Sequence, residues 1–174
     1  MGQVTAPYGS WASPFPIELL AKGAIAFSEI TAAGGRRWWL EGRADESGRQ
    51  VLLRRDPDGG LVRLTPEGFN CRNRVHEYGG GAYVVAGDVV VVSDFSTGRL
   101  HRIADPERVE PLTPDGHAWR YASLSSDPSR NRLIAVREDH DPDTLARHGE
   151  AENAIVAVDI ATGDVEVLAG GSDF

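Results

Sequence analysis

The chain repeats a short segment at the end of successive units, and this repeat limits the folds open to it. Residues 62–66 read Val-Arg-Leu-Thr-Pro, residues 109–114 read Val-Glu-Pro-Leu-Thr-Pro, and residues 165–168 read Val-Glu-Val-Leu. The leucines that close these segments stand 48 and 56 residues apart. A unit of about 40 to 50 residues that recurs along a chain is typical of a β-propeller, in which each unit forms one four-stranded blade.

Each unit is predicted to contain four short strands separated by turns. The turns are rich in glycine, aspartate and proline, because glycine and aspartate tolerate positive φ and proline presets the first turn residue. The predicted strands of the first unit are 26–31, 37–41, 50–55 and 61–64, and those of the second are 81–85, 88–93, 99–103 and 109–112. Those of the third are 121–125, 132–137, 154–159 and 165–168. An insertion at 139–152 explains the longer second interval.

We therefore predict an all-β fold. It is a partial β-propeller of about three four-stranded antiparallel blades, at approximately 25–67, 76–115 and 119–170, after an N-terminal lead-in segment at 1–24. Residues 17–22 of the lead-in are predicted to form one or two helical turns. A β-sandwich with chance similarity between its hairpins is the alternative, but the repeated Leu-Thr-Pro and the equal number of strands favour the propeller.

Three blades leave a propeller ring open. Because propellers close with about four to eight blades, we expect the chain to be a fragment, or to be completed by remaining blades from elsewhere. End faces and edge strands that lack a partner are expected to make the isolated chain associate with itself.

Composition and charge narrow the possible partners. The formal net charge of −8 and the lack of a cluster of basic residues argue against nucleic acid as a partner. No apolar stretch reaches the roughly 18 residues of a membrane span, and residues 1–11 do not have the pattern of a signal peptide. Cys71 is the single cysteine, so an internal disulfide and a cysteine-based zinc cluster are excluded. We expect a cytoplasmic protein with no cofactor and no membrane partner.

Four stretches of the sequence resemble one family of enzymes. They are Tyr8-Gly-Ser-Trp-Ala-Ser-Pro14, Trp39-Leu-Glu-Gly-Arg43, Arg74-Val-His-Glu-Tyr-Gly-Gly-Gly-Ala-Tyr83 and Val136-Arg-Glu-Asp-His140. Together they resemble the amino-terminal propeller of prolyl-oligopeptidase-family serine peptidases, most closely the acylaminoacyl-peptidase or dipeptidyl-aminopeptidase-like members. The resemblance covers nearly the whole chain, and the His-Glu-Tyr-Gly-Gly-Gly run is its most specific part.

The resemblance implies a parent protein of two domains, in which a propeller restricts access to short peptides and an α/β-hydrolase domain carries a Ser-Asp-His triad. That hydrolase domain is absent from this sequence. A nucleophile elbow needs Gly-x-Ser-x-Gly, and the nearest segment, residues 170–174, lacks the final glycine. We therefore expect no catalysis from this chain alone, and the implied partners are short peptides, the hydrolase domain and the remaining blades. The alternative is a non-enzymatic propeller that serves as a binding or interaction scaffold.

Residues 74–83 are the candidate substrate-binding region. Three consecutive glycines at 79–81 weaken a strand, so they predict a bulge or a close approach of another backbone segment. If His76 and Glu77 begin the innermost strand of a blade, they point towards the mouth of the channel. There Glu77 can hold a substrate's ammonium group, while Arg74 and His76 pair with Glu77 or contact a peptide carboxylate. The structural alternative is that Glu77 binds backbone donors at the bulge and pairs with Arg74.

The insertion at 139–152 contains one weak metal-binding pattern. Asp139, Asp141, Asp143 and Glu150 stand at positions 1, 3, 5 and 12 of a calcium-loop spacing. The match is incomplete, because the sixth position lacks the glycine that such loops need for their sharp turn. A solvated acidic loop between two strands is the favoured interpretation, so no metal is expected.

Overall fold

The computed structural model describes residues 5–10, 15–17, 25–106 and 108–171. Within these ranges, twelve strands form three four-stranded antiparallel sheets, and the strands of each sheet pair in sequence order. The prediction of an all-β partial propeller is therefore confirmed. The helical turns predicted at 17–22 lie outside the described residues apart from Ile17, as do residues 11–14 and 172–174.

Each sheet corresponds to one of the three repeated units, and each strand overlaps a strand predicted from the sequence. The first sheet contains β1 (Ile25–Ala33), β2 (Arg36–Arg43), β3 (Arg49–Arg55) and β4 (Leu61–Arg63). The second contains β5 (Tyr83–Ala86), β6 (Val89–Ser93), β7 (Leu100–Asp105) and β8 (Arg108–Pro111). The third contains β9 (Trp119–Asp127), β10 (Arg132–Asp139), β11 (Glu152–Asp159) and β12 (Val165–Gly170).

The hydrophobic core forms two layers, each between consecutive sheets. The second sheet contributes to both layers, because successive side chains of a strand point to opposite faces. In β6, Val90 and Val92 join the layer that contains Leu40 of the first sheet. Val91 joins the layer that contains Leu133 of the third sheet. The second sheet is thus packed on both faces, as an interior blade of a propeller is.

The repeated Leu-Thr-Pro segment has the same structural role in the first two sheets. Leu64 is buried, and its backbone N–H donates to the carbonyl oxygen of Leu52 at 2.9 Å. The Thr65 hydroxyl accepts a hydrogen bond from the Leu52 N–H at 3.1 Å. In the second sheet, the equivalent leucine and threonine make the same two bonds to Leu100, at 2.8 and 3.0 Å. The segment therefore closes a sheet with one buried apolar side chain and one hydroxyl that satisfies a strand N–H.

Polar contacts between sheets hold the segment that leads into β5. Both β1 and β9 are bulged, and each bulge contains a residue with positive φ, Glu29 at 51° and Ser123 at 56°. The Glu29 carboxylate accepts a hydrogen bond from the Ala82 N–H at 2.8 Å, and the Ser123 N–H donates to the Gly81 carbonyl at 2.8 Å. The chain just before β5 is therefore bound both to the first sheet and to the third.

The insertion between β10 and β11 contains a short helix that the sequence did not predict. This helix, α1 (Pro142–His148), follows Asp141 at its N-cap and ends at Gly149, where φ is 81°. Within the described ranges, no helix is long and apolar enough to span a membrane.

Candidate functional site

Residues 74–83 form a tight turn before the second sheet. A 3-10 helix spans Val75–Glu77, and β5 begins only at Tyr83. His76 and Glu77 have positive φ values of 52° and 60°, a conformation that costs roughly 1–3 kcal/mol for a residue other than glycine. His76 and Glu77 therefore do not begin the innermost strand, because the backbone passes through the left-handed region several residues before β5 forms.

Two side chains of the third sheet hold this turn. The backbone N–H of His76 donates to Oε1 of Glu138 at 2.6 Å. The Nε2 atom of His76 is hydrogen-bonded to Oδ1 of Asn153 at 3.0 Å. Because β10 and β11 supply these partners, the positive φ values are maintained by tertiary contacts and not by local sequence preference.

A buried asparagine closes the turn from within the same segment. Asn73 is 3% exposed, and its Oδ1 accepts hydrogen bonds from the N–H groups of Gly80 at 3.0 Å and Val75 at 3.4 Å. Its Nδ2 donates to the Gly80 carbonyl at 2.9 Å. These bonds join the two ends of the turn, so the carboxylate of Glu77 is presented from a fixed backbone.

The three glycines allow the close backbone approach that the sequence predicted. A Cβ atom on Gly80 would lie 3.0 Å from the Ser123 hydroxyl and 3.2 Å from the Ala122 side chain, both in β9. Gly79 has a φ of 78°, and a Cβ atom there would lie 2.9 Å from the Asn73 carbonyl oxygen. A side chain at Gly80 would push the turn away from the third sheet, and one at Gly79 would clash within the turn itself. A Cβ atom on Gly81 would lie 3.5 Å from the Ser123 backbone, so the prediction of a close approach is confirmed.

Glu77 places an exposed carboxylate beside an arginine of the third sheet. Arg120 Nη1 donates to Glu77 Oε1 at 2.9 Å, and the Glu77 side chain is 75% exposed. This hydrogen bond and the Arg120 charge hold the pKa of Glu77 below its usual range, with a smaller attraction from Arg74. The ion pair that forms is thus Glu77–Arg120 and not the Glu77–Arg74 pair of the structural alternative.

Glu138 connects the turn to the rest of the polar cluster. Its side chain is 7% exposed, and besides the His76 N–H it contacts His140 Nε2 at 2.9 Å and Arg120 Nη1 at 3.6 Å, both through Oε2. A buried carboxylate is tolerated when several donors surround it, and Glu138 meets that condition. Sequence reasoning did not assign Glu138 or Arg120 to the site, although Glu138 and His140 both lie in the Val-Arg-Glu-Asp-His stretch that carries part of the family resemblance.

Arg74 lines a small cavity between the second and third sheets. Its guanidinium carbon lies 4.5 Å from the centre of the Phe95 ring, within the range of a cation–π interaction. Arg120, His140 and Trp119 also line this cavity, which has a volume of about 210 Å³. The arrangement brings cationic and aromatic side chains together next to the turn.

Two acidic residues of the insertion at 139–152 accept hydrogen bonds from neighbouring groups of the protein. Asp141 accepts hydrogen bonds from a backbone N–H at 2.5 Å and from His117 Nδ1 at 2.7 Å. Asp139 accepts from the Asp141 N–H at 2.9 Å. Among the residues that the structure describes, no three His, Cys, Asp or Glu side chains converge as a metal site requires. The calcium-loop hypothesis, which also needed Asp143 and Glu150, therefore has no geometric support.

No protein-family model matches the chain, and no curated protein matches it. Among solved structures, a puromycin-hydrolyzing peptidase of Mycobacterium tuberculosis is 32% identical, with a TM-score of 0.79, over 99% of this chain and 28% of that chain. A puromycin hydrolase is 28% identical, with a TM-score of 0.75, over 95% of this chain and 27% of that chain.

A more distant structure shows the fold alone. A putative TolB from Agrobacterium tumefaciens is 19% identical, with a TM-score of 0.56, over 84% of this chain and 50% of that chain. The chain spans just over a quarter of the length of the two hydrolases, and it matches the N-terminal part of a peptidase.

Proposed function

We propose that this chain, which has the sequence and fold of the amino-terminal propeller of prolyl-oligopeptidase-family serine peptidases, gates the entry of short peptides to a hydrolase domain. The observation that carries the proposal is the 32% identity, over 99% of the chain, to a puromycin-hydrolyzing peptidase. Remaining blades complete the ring, and the hydrolase domain supplies the Ser-Asp-His triad. The ring excludes large substrates by its width, and side chains near its mouth select among the peptides that enter.

Glu77 is proposed to bind the α-ammonium group of the substrate. Its low pKa keeps the carboxylate ionised at neutral pH, and its side chain is 75% exposed. Arg120 contacts Oε1 only, so Oε2 has no hydrogen-bond partner within the described residues. A hydrogen bond between two charged groups is among the stronger polar contacts in proteins, so one ammonium group at Oε2 is enough to distinguish a free amino terminus from a blocked one.

The rigid turn supports this role. A binding group selects ligands well when its backbone is already fixed in the free protein, because less entropy is then lost on binding. Asn73 closes the turn from inside, and Glu138 and Asn153 anchor His76 from the third sheet. His76 is therefore proposed to position Glu77 and not to contact the substrate directly.

The test of this role compares peptides with free and acetylated amino termini. In the protein that contains this chain and its hydrolase domain, Glu77→Gln is expected to lower kcat/KM about tenfold for peptides with a free α-ammonium group. Hydrolysis of the Nα-acetylated peptides is expected to stay unchanged. The matched control is Glu166→Gln, because Glu166 is also an exposed glutamate paired with an arginine, at 3.5 Å from Arg132. Equal losses on both kinds of peptide would contradict the assignment of Glu77.

The sequence downstream of Phe174 distinguishes the proposed peptidase propeller from the alternative, a non-enzymatic scaffold. An open reading frame that continues past Phe174 into a domain with Gly-x-Ser-x-Gly supports the peptidase. A frame that adds only further blades before its stop codon supports the scaffold and overturns the proposal.

A further inference from the structure

Arg74 is a cation that lacks a counter-charge in direct contact. Most arginines in the described part of the chain form ion pairs, as Arg54 does with Asp56 at 2.8 Å and Arg132 does with Asp127 at 3.0 Å. The guanidinium of Arg74 makes no hydrogen bond or salt bridge within the described residues, and its close contact is the Phe95 ring. Its attraction to the Glu77 carboxylate is weaker than that of Arg120. In a chain with a net charge of −8, a guanidinium without a direct ion pair is a site where an anion can bind.

The aromatic walls of the cavity beside Arg74 are also fixed. Phe95 lies under the Arg74 guanidinium, and its backbone N–H donates to the Asn70 carbonyl at 3.0 Å. Trp119 is stacked with His117 at 3.9 Å between ring centres, and the Arg137 guanidinium lies 4.5 Å from the Trp119 ring centre. These contacts fix the Trp119 ring and the Phe95 backbone without any ligand, so the aromatic lining of the cavity is preformed.

Asp94 is the one acidic residue among the described residues that line the cavity, and its carboxylate is already bound to hydroxyl groups. Asp94 is buried, and its Oδ2 accepts hydrogen bonds from the Ser96 hydroxyl at 2.5 Å and the Thr97 hydroxyl at 2.8 Å. The charge of Asp94 is therefore partly compensated by its own loop. Arg120 also lines the cavity, but it is paired with Glu77 at 2.9 Å and lies 3.6 Å from Glu138. The guanidinium available to an incoming anion is therefore that of Arg74.

The size of the cavity limits the ligand. A volume of about 210 Å³ is smaller than the roughly 300 Å³ at the lower end of sites for drug-sized ligands. It suits a single amino-acid side chain with its terminal carboxylate. Guanidinium groups bind carboxylates through two parallel hydrogen bonds, which adds geometric selectivity to the charge attraction.

We infer that this cavity is a subsite for the carboxy-terminal residue of a short peptide, with Arg74 on the carboxylate and Phe95 and Trp119 on an apolar side chain. The inference rests on the proposed function, because it takes the ligand to be a peptide. It adds a second point of recognition to the amino-terminal contact at Glu77, and it makes a free carboxy terminus a determinant of binding.

The experiment measures binding of one peptide in two chemical forms. Nα-acetyl-alanyl-phenylalanine and its carboxy-terminal amide are titrated by calorimetry into the protein that contains this chain and its hydrolase domain, with the nucleophilic serine of that domain replaced by alanine to prevent hydrolysis. The acetyl group removes any contribution from Glu77. The carboxylate form is expected to bind at least about tenfold more tightly than the amide. In Arg74→Gln this preference is expected to disappear. The matched control is Arg72→Gln, because Arg72 also lies over the Phe95 ring, at 5.3 Å, but does not line the cavity.

The outcomes separate this subsite from the proposed function. Equal affinity of the wild-type chain for the acid and the amide overturns the subsite, whether or not the variants fold. A loss of preference in Arg72→Gln as large as in Arg74→Gln overturns it as well. Neither result bears on Glu77, whose role is measured by the difference between free and acetylated amino termini.

Discussion

The backbone N–H of His76 donates a 2.6 Å hydrogen bond to Oε1 of Glu138, which stands 62 positions further along the chain. This bond crosses from the turn before the second sheet to β10 of the third sheet. The two sheets share no strand, so the bond contributes to their relative position as well as to the conformation of His76. The geometry of the candidate site is therefore a property of the packed sheets and not of the turn alone.

The first prediction concerns the buried carboxylate at this junction. Glu138→Ala removes the acceptor of the His76 N–H and leaves the exposed Glu77 as the one ion-pair partner of Arg120 among the residues that the structure describes. We expect the free energy of unfolding to fall by about 1.5–3 kcal/mol, the value for a hydrogen bond to a charged group. Urea denaturation followed by fluorescence measures this change. Glu166→Ala, at an exposed ion pair, is the control and is expected to shift the midpoint little.

The strands could be predicted from the sequence because their signals are local. Each strand lies between turns of glycine, aspartate and proline, and the Leu-Thr-Pro repeat marks where a sheet ends. The structure explains that repeat, since Leu64 fills the core and Thr65 satisfies a strand N–H of its own sheet. Helix α1 was missed because seven residues within an acidic insertion are too few to show a helical period.

The partners of the candidate site could not be predicted because they are distant in sequence. Glu77 pairs with Arg120, 43 positions away, and His76 with Asn153, 77 positions away. A local sequence pattern does not indicate which residues of a later blade will contact a turn that precedes an earlier blade. The positive φ of His76 has the same origin, because a histidine adopts it here through contacts from the third sheet. Only the three glycines gave a local signal, that of a close backbone approach.

The second prediction concerns a glycine at which two sheets meet. Gly163 has a φ of 80°, and a Cβ atom there would overlap the Leu112 carbonyl oxygen at the end of the second sheet. Gly116 has a similar φ of 85°, but a Cβ atom there meets nothing within 4 Å. Gly116→Ala is therefore expected to cost about 1–2 kcal/mol of stability, from the backbone alone. Gly163→Ala is expected to cost about 1–3 kcal/mol more, and equal costs in urea denaturation would contradict the close contact.

The third prediction is a pH dependence set by Glu29. Burial raises the pKa of Glu29 above its ordinary value of 4.5, although hydrogen bonds from the Ala82 and Tyr83 backbone oppose the shift. The folded state therefore binds this proton more tightly than the unfolded state, so the contribution of Glu29 to stability decreases as pH rises above about 4.5. Glu29→Gln removes the carboxyl group, so no charge forms at this buried position as pH rises. Its stability relative to wild type is expected to improve between about pH 4 and pH 7, and a decline over that interval would contradict the burial of the charge.

The fourth prediction has the opposite sign and serves as the control for the third. Hydrogen bonds from Ser129 and Arg132, with the nearby Arg130, lower the pKa of Asp127 from 3.8 to about 2. The stabilisation is therefore present above pH 3.8 and is lost as pH falls through about 2. Asp127→Asn is expected to be less stable than wild type at neutral pH, and the difference is expected to shrink in acid. A difference that is constant with pH would show that these contacts do not depend on the charge.

The last prediction concerns the outer faces of the first and third sheets, which do not pack against the second sheet. Ile155 of β11 is 47% exposed and pairs across the strand with Val136, on the face opposite to the buried Val156. Phe27 of β1 is 63% exposed, and its cross-strand partner is Glu41, whereas the neighbouring Leu40 is buried against the second sheet. Each outer sheet thus presents apolar side chains on the face where a propeller would place another blade.

Because apolar surface is removed from water when such faces meet, the chain is expected to associate with itself in a concentration-dependent way. Ile155→Glu and Phe27→Glu each place a charge on one of these faces, and both are expected to shift sedimentation towards the monomer. Tyr78→Ser is the control, because Tyr78 is 90% exposed in the turn and belongs to neither face. A wild-type chain that sediments as a sharp monomer at every concentration and unfolds cooperatively would show that the end faces need no further blade.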